Sequence, residues 1–160
     1  ESKEMFADLM HEIRSMSNDL LPAVLREFGL VKAIESLLKQ MENNSQLKTT
    51  FRANLSESKL HKKAETYLYR IAQEAANNVI KHADAEHFSI ALTIQDKHLV
   101  FDLIDDGTGL SKDSMHKDTN GLANIQERIS VLGGIVYFYN AEPHGLNIRC
   151  KIPLKKCIDE

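Results

Sequence analysis

Cysteine is nearly absent from this sequence. The two present, Cys150 and Cys157, stand near the end of the chain. Their number and spacing fit neither a disulfide framework nor a zinc site, so reduced thiols are expected. A strong charge of one sign is lacking too. The formal net charge is -3, which supplies no basic footprint for nucleic acid. No apolar run approaches the roughly 20 residues that span a bilayer. No signal peptide opens the chain, and neither internal repeats nor low-complexity tracts occur. What is present is 42% hydrophobic and 27% charged over 160 residues, enough for one soluble globular domain and a small extension. The opening ESKEMFADLM has no initiator Met and reads as the middle of a helix. A fragment of a longer protein is therefore expected, cytoplasmic itself and without membrane contact, from a parent that can be membrane-anchored.

Phe6, Leu9, Ile13, Met16 and Leu20 recur at alternating spacings of three and four, a seam suited to helix pairing or to packing on the chain's own domain. Pro22 interrupts that helix because it lacks an amide donor, and Gly29 adds a second break. Val31, Ile34, Leu37, Leu38 and Met41 form a second amphipathic stripe. LKTTFRANL reads as a strand, residues 62–81 as a long helix, and HFSIALTIQ and HLVFDLID as two strands joined at Asp96 and Lys97. DDGTGL is a loop, and residues 111–120 are polar without hydrophobic period. GLANIQERISVLGG is a helix with a glycine stop, and IVYFYN and GLNIRCKIPL form a closing hairpin. This order predicts an α+β, two-layer sandwich with helices on one face of a mixed, mainly antiparallel sheet.

Chemistry concentrates in RIAQEAANNVIKHA. At about 100° per residue, Asn78 lies about 40° round from Glu74, Lys81 about -20° and His82 about 80°. The core set Leu68, Ile71, Ala72, Ala75 and Val79 centres near about 110°. One side of the helix packs, and a neighbouring stripe presents a carboxylate, an amide oxygen and an ammonium. Mg²⁺ wants a few hard oxygens and keeps water and substrate phosphates for its other positions, and a lysine meets phosphate as a point charge. A solvated polar stripe has the same composition. In DDGTGL, Asp105 ends a strand, and Gly107 and Gly109 permit close backbone approach or positive φ. Taken alone, such a string is also a common turn. Gly121 and Leu122 open a helix whose first amides are unpaired and electropositive.

The succession E-x-x-x-N-x-x-K-H, DxGxG after two strands, a polar segment and GL opening a helix resembles the GHKL ATPase superfamily, the Bergerat fold of gyrase, Hsp90, histidine kinases and MutL proteins. The resemblance spans residues 47–154. It implies ATP and Mg²⁺ as cofactors. It gives Asn78 and, through water, Glu74 to the metal, Lys81 to the phosphates, and His82 to a phosphate or lid contact. It gives Asp105 to the adenine amino group, Gly107 and Gly109 to the pocket's shape, and the amides of Gly121 and Leu122 to the phosphates, with Glu74, Asn78 and Lys81 carrying catalysis. The four-residue spacing selects Asn78 over Asn77. The sequence departs from the family at Thr119-Asn120-Gly121, where Gly-His-Gly is frequent, and at Gly145-Leu146, where Gly-Thr is.

From Glu12 to Leu30 the pattern E-I-R-x-M-S-x-x-L-x-P-x-x-L-x-x-x-G-L resembles the second dimerisation helix of NarX-like sensor histidine kinases, and GLANIQERISVLGG resembles that group's G-L-x-x-(M/I)-x-x-R-x-x-x-L-G-G. This implies residues 1–29 as the end of a dimerisation and phosphotransfer helix and 30–160 as an ATP-binding catalytic domain. It implies a homodimeric parent and a response regulator with helix-turn-helix output as partner. The acceptor histidine then lies upstream in a string like R-E-L-H-D, which these residues lack, and His11 is an ordinary helix histidine. Another GHKL ATPase, an anti-sigma-type Ser/Thr kinase, or a non-catalytic nucleotide-binding or dimerisation module are the alternatives. His61, His87, His98, His116 and His144 have no ligand spacing.

Overall fold

The structure is a computed structural model that describes residues 1–6, 8, 21–110 and 119–159, with the backbone alone at 82, 83, 119 and 120. The seam beyond Phe6, the stretch around His11, and residues 111–118 lie outside the described residues.

Helix α1 (Ala23–Asn44) starts directly after Pro22, where a missing amide donor costs nothing. Gly29, at φ +85°, breaks it into 23–28 and 30–44. The break strips Leu30 of its helical partner, and Glu65 Oε2 accepts that amide at 2.7 Å. Strand β1 (Lys48–Asn54) comes next, then helix α2 (Lys62–Asn78). His61 caps α2: its Nδ1 accepts the Ala64 amide at 3.0 Å, and Nε2 donates to the Lys156 carbonyl at 2.8 Å. The expected helix to Lys81 is α-helical only to Asn78. A π turn, Val79–Ala83, completes it and ends at Asp84 in the left-handed region. Beyond Asn78 the regular step of the wheel no longer holds, so the calculated angle of Lys81 is not kept.

Strands β2 (His87–Gln95) and β3 (His98–Asp105), helix α3 (Thr119–Val131), and strands β4 (Ile135–Asn140) and β5 (Leu146–Pro153) complete the order. The sheet runs β1-β2-β3-β5-β4, with β1 parallel to β2 and the other neighbours antiparallel. This is the mixed α+β sandwich expected from the element order. Its core joins Leu68, Ile71, Ala72 and Ala75 of α2 to Phe88, Ile90 and Leu92 of β2, Leu99, Phe101 and Leu103 of β3, and Ile148, Cys150 and Ile152 of β5. Alanines on the helix bring its backbone close to the sheet, where a larger side chain would overpack. On the outer face, Arg149 makes a two-pronged pair with Asp102 at 2.8 and 3.0 Å, set by their direct register across β3 and β5. Among the described residues no helix is long and apolar enough to cross a membrane.

Candidate functional site

The pleat of β3 decides the placement of Asp105. Leu99, Phe101, Leu103 and Asp105 alternate onto one face, so the strand's last residue carries a carboxylate into the side that faces the core, 7% exposed. Its Oδ1 accepts the Gly107 amide at 2.8 Å and the Leu146 amide at 3.4 Å; Oδ2 takes part in neither bond. Burial pushes the Asp105 carboxyl above its ordinary range, the two amides act against that, and the neighbouring Asp106 charge adds to it.

Glycines make the space around it. Gly145, at φ +113°, lies against the Asp105 carbonyl so closely that any Cβ would collide with it. Gly109 has φ +74°, and a Cβ there would stand 2.6 Å from Asn140 Oδ1. That same Asn140 oxygen accepts the Leu110 amide at 2.7 Å, so the end of β4 props the loop after Asp105. Gly107 gives its amide to Asp105 and its carbonyl to His144 Nδ1, at 3.3 Å.

Chain connectivity brings the polar stripe of α2 to the same end of the sandwich. The segment after α2 enters β2 where Phe88 pairs with Asp105. Asp106 fastens this corner: Oδ1 accepts the Glu86 and His87 amides, each at 2.8 Å, and Oδ2 meets His87 Nδ1 at 2.7 Å. Burial acts to raise the Asp106 carboxyl, but the bonds from His87 and Glu86 prevail and hold it below the ordinary range.

Gly121, in the first turn of α3, is buried against α2. A Cβ there would sit 3.2 Å from Asn78 Oδ1 and 3.5 Å from Glu74 Oε2. Glycine thus leaves a cradle faced by the Asn78 amide, its oxygen nearer than its nitrogen at 3.5 Å, and by a Glu74 carboxylate oxygen; the two oxygens are hard donors of the kind that suits Mg²⁺. Among the described residues no group of three or more His, Cys, Asp or Glu could hold a metal, so a cation here would rest on few protein oxygens. Asn77 lines a cavity of about 430 Å³ between α1 and α2, whose wall Glu74 and, from α3, Arg128 share. Leu122 is half-buried against the core, and Lys81 is exposed. The His82 side chain lies outside the described atoms.

Four contributors escaped the sequence reading. Arg128 on α3 places Nη1 3.9 Å from Glu74 Oε1; its position in the G-L-x-x-(M/I)-x-x-R pattern was the available signal. Asp106, Asn140 and His144 support the loop through contacts 19 to 37 residues apart, which no local spacing announces.

An α+β sandwich with a buried carboxylate in a glycine-lined corner and, where α3 meets α2, a cradle of amide and carboxylate is the layout of a nucleotide-binding ATPase domain. The chain belongs to the histidine kinase-, DNA gyrase B- and HSP90-like ATPase family, whose model matches residues 63–156. It is 28% identical over 152 residues to the sensor histidine kinase LiaS of Bacillus subtilis (strain 168), covering 95% of this chain and 42% of that protein. It is 27% identical over 147 residues to the oxygen sensor histidine kinase NreB of Staphylococcus carnosus (strain TM300), covering 91% and 42%. The chain thus spans less than half the length of these curated relatives. In fold it is similar to the histidine kinase domain of the Erythrobacter litoralis EL346 blue-light activated histidine kinase, with TM-score 0.66, 14% identity and coverage of 78% and 64%. The Acinetobacter baumannii histidine kinase AdeS aligns at TM-score 0.64 and 14% identity, over 95% of this chain and 80% of that one.

Proposed function

We propose that this chain is the ATP-binding catalytic part of a sensor histidine kinase of the NarX-like group. The parent moves the γ-phosphoryl of ATP to a histidine on its dimerisation domain, for relay to a response regulator with helix-turn-helix output. The observation that carries the reading is the meeting of Gly121 with Asn78 and Glu74: the helix start that would cover phosphates stands on the side chains that would hold their metal. In this reading Asp105 accepts the adenine amino group within the space kept by Gly107 and Gly109. Lys81 and His82 approach the phosphates, and the amides of Gly121 and Leu122 close over them. Asn78 and, through water, Glu74 would hold Mg²⁺, which neutralises phosphate charge when bound. The protein's contribution is positioning and fixed charge.

Residues 1–29 are read as the tail of a dimerisation helix and 30–160 as the catalytic domain, a division that the helix break at Gly29 supports. The parent is a homodimer that acts in the cytoplasm.

Titration of ATP into the chain, with and without Mg²⁺, tests the core of the proposal, and Mg²⁺-dependent binding is expected. Absence of ATP binding would remove it. Incubation with γ-labelled ATP should leave His11 unlabelled while a longer protein carrying the upstream histidine accumulates acid-labile phosphate. Labelling of the chain that vanishes in His11→Ala would place the acceptor at His11 instead.

A further inference from the structure

We propose that Arg128 is a positioning residue that sets the Glu74 carboxylate for metal-dependent nucleotide binding; this rests on the role proposed for Glu74 and Asn78. Helix α3 touches the same α2 carboxylate at two levels. In its first turn, the Cα of Gly121 faces Asn78 and Glu74 Oε2. Two turns later, Arg128 brings Nη1 within 3.9 Å of Glu74 Oε1. Seven helical residues advance to within about 20° of the starting direction, so both contacts come from one face of α3.

The two oxygens of Glu74 are thereby divided. One belongs to the cradle with Asn78, and the other faces a guanidinium. A carboxylate that holds a cation through water must present one oxygen in a fixed orientation, and a positive charge held near its far oxygen biases that orientation. The Glu74 side chain is 10% exposed and that of Arg128 27%, so solvent screens the pair only in part. Arg128 Nη1 is itself buried and, among the described residues, has no hydrogen-bond partner. Such a donor is costly to leave unmade, and the nearby Glu74 oxygen is the acceptor charge favours. The rigid planar fork of arginine suits this task better than the flexible ammonium of lysine.

The experiment measures ATP affinity of the whole chain as a function of Mg²⁺, for wild type, Arg128→Met, Arg128→Lys, Glu74→Gln and the Arg128→Met/Glu74→Gln pair, each checked for folding by its melting curve. Loss of an outer partner of a metal ligand lowers metal affinity by about 10- to 100-fold. Arg128→Met should therefore raise the Mg²⁺ concentration at half-effect about tenfold, with metal-free ATP affinity changed less than about twofold. Arg128→Lys should recover part of the loss, and Arg128→Met should add little once Glu74 is glutamine. A purely structural arginine would weaken ATP binding equally with and without Mg²⁺. That result, an unchanged midpoint in both Arg128 variants, or an undiminished effect in the Glu74→Gln background would overturn the proposal. If wild type binds no ATP, the functional reading falls and this inference with it; if wild type binds and the Arg128 variants match it, only this inference falls.

Discussion

At the residue scale, Asp105 carries the sharpest test. An ionised carboxylate only accepts hydrogen bonds, which matches the adenine amino group and opposes the guanine carbonyl. An unmatched buried polar group costs about 1–3 kcal/mol, so wild type should prefer ATP over GTP at least about tenfold. A folded Asp105→Ala should lose most of that preference; one that still binds ATP normally would remove Asp105 from the site. Burial raises its folded-state pKa, which fixes the sign of two pH effects. Stability linked to this group is full below the unfolded pKa and is lost as pH rises through the folded one. Asp105→Asn should therefore be more stable than wild type at neutral pH, with the gap shrinking on acidification. ATP affinity of wild type should fall as pH drops through the raised value, and that of Asp105→Asn should not. A flat wild-type profile across that window would contradict an ionised acceptor. Asn78→Asp adds negative charge beside Glu74 and the triphosphate, so phosphotransfer in the longer protein should suffer far more than the melting temperature; near-normal transfer would exclude Asn78 as a ligand. Residue placement was legible where it followed a local period. HLVFDLID read as a strand put Asp105 at its end, without saying which face it took, and the four-residue spacing of the resembled family selected Asn78 over Asn77. Arg128 was not legible as a partner of Glu74, because that contact depends on how α3 is laid across α2.

At the element scale, breaks in helices matter more than their interiors. Gly29 was readable as punctuation, yet its consequence was not: the Leu30 amide is buried and crosses to Glu65 on another helix, at 2.7 Å. Glu65→Ala strands that amide and should destabilise the fold by about 1–3 kcal/mol. Glu65→Gln keeps an acceptor and should cost less. Urea unfolding separates the two, and equal stability of Glu65→Ala and wild type would show that water replaces the carboxylate. The π turn Val79–Ala83 was invisible to periodicity. Its sequence, VIKHA, is ordinary helix by propensity, and the widened turn serves the exit of α2 into β2, a tertiary demand. That is why the wheel served for Glu74 and Asn78 and not for Lys81.

At the scale of the whole molecule, the two layers and the mixed sheet were legible from the order of elements. The strand order was not, since placing β5 between β3 and β4 is decided by pairings far apart in the chain. That order ties the site to the core. β5 begins beside Asp105 through Gly145 and Leu146 and carries Cys150, wholly buried, at its centre. Burial, reinforced by Asp102, pushes the Cys150 thiol far above its ordinary range, and burial pushes Cys157 up to about 11. Only the thiolate reacts, so native Cys150 should be silent toward a thiol reagent and label through opening of the sheet. Cys157 comes after a short 3-10 turn near the chain end and can report local opening, so the measurement belongs in Cys157→Ser. A ligand that binds only the folded state lowers the open population by 1 + [L]/Kd. Mg-ATP at about 100 times its Kd should then slow Cys150 labelling by about 100-fold, while GTP at the same concentration slows it far less. Labelling indifferent to saturating Mg-ATP would mean that β5 opens without disturbing the site, against the contacts that join its first residues to Asp105.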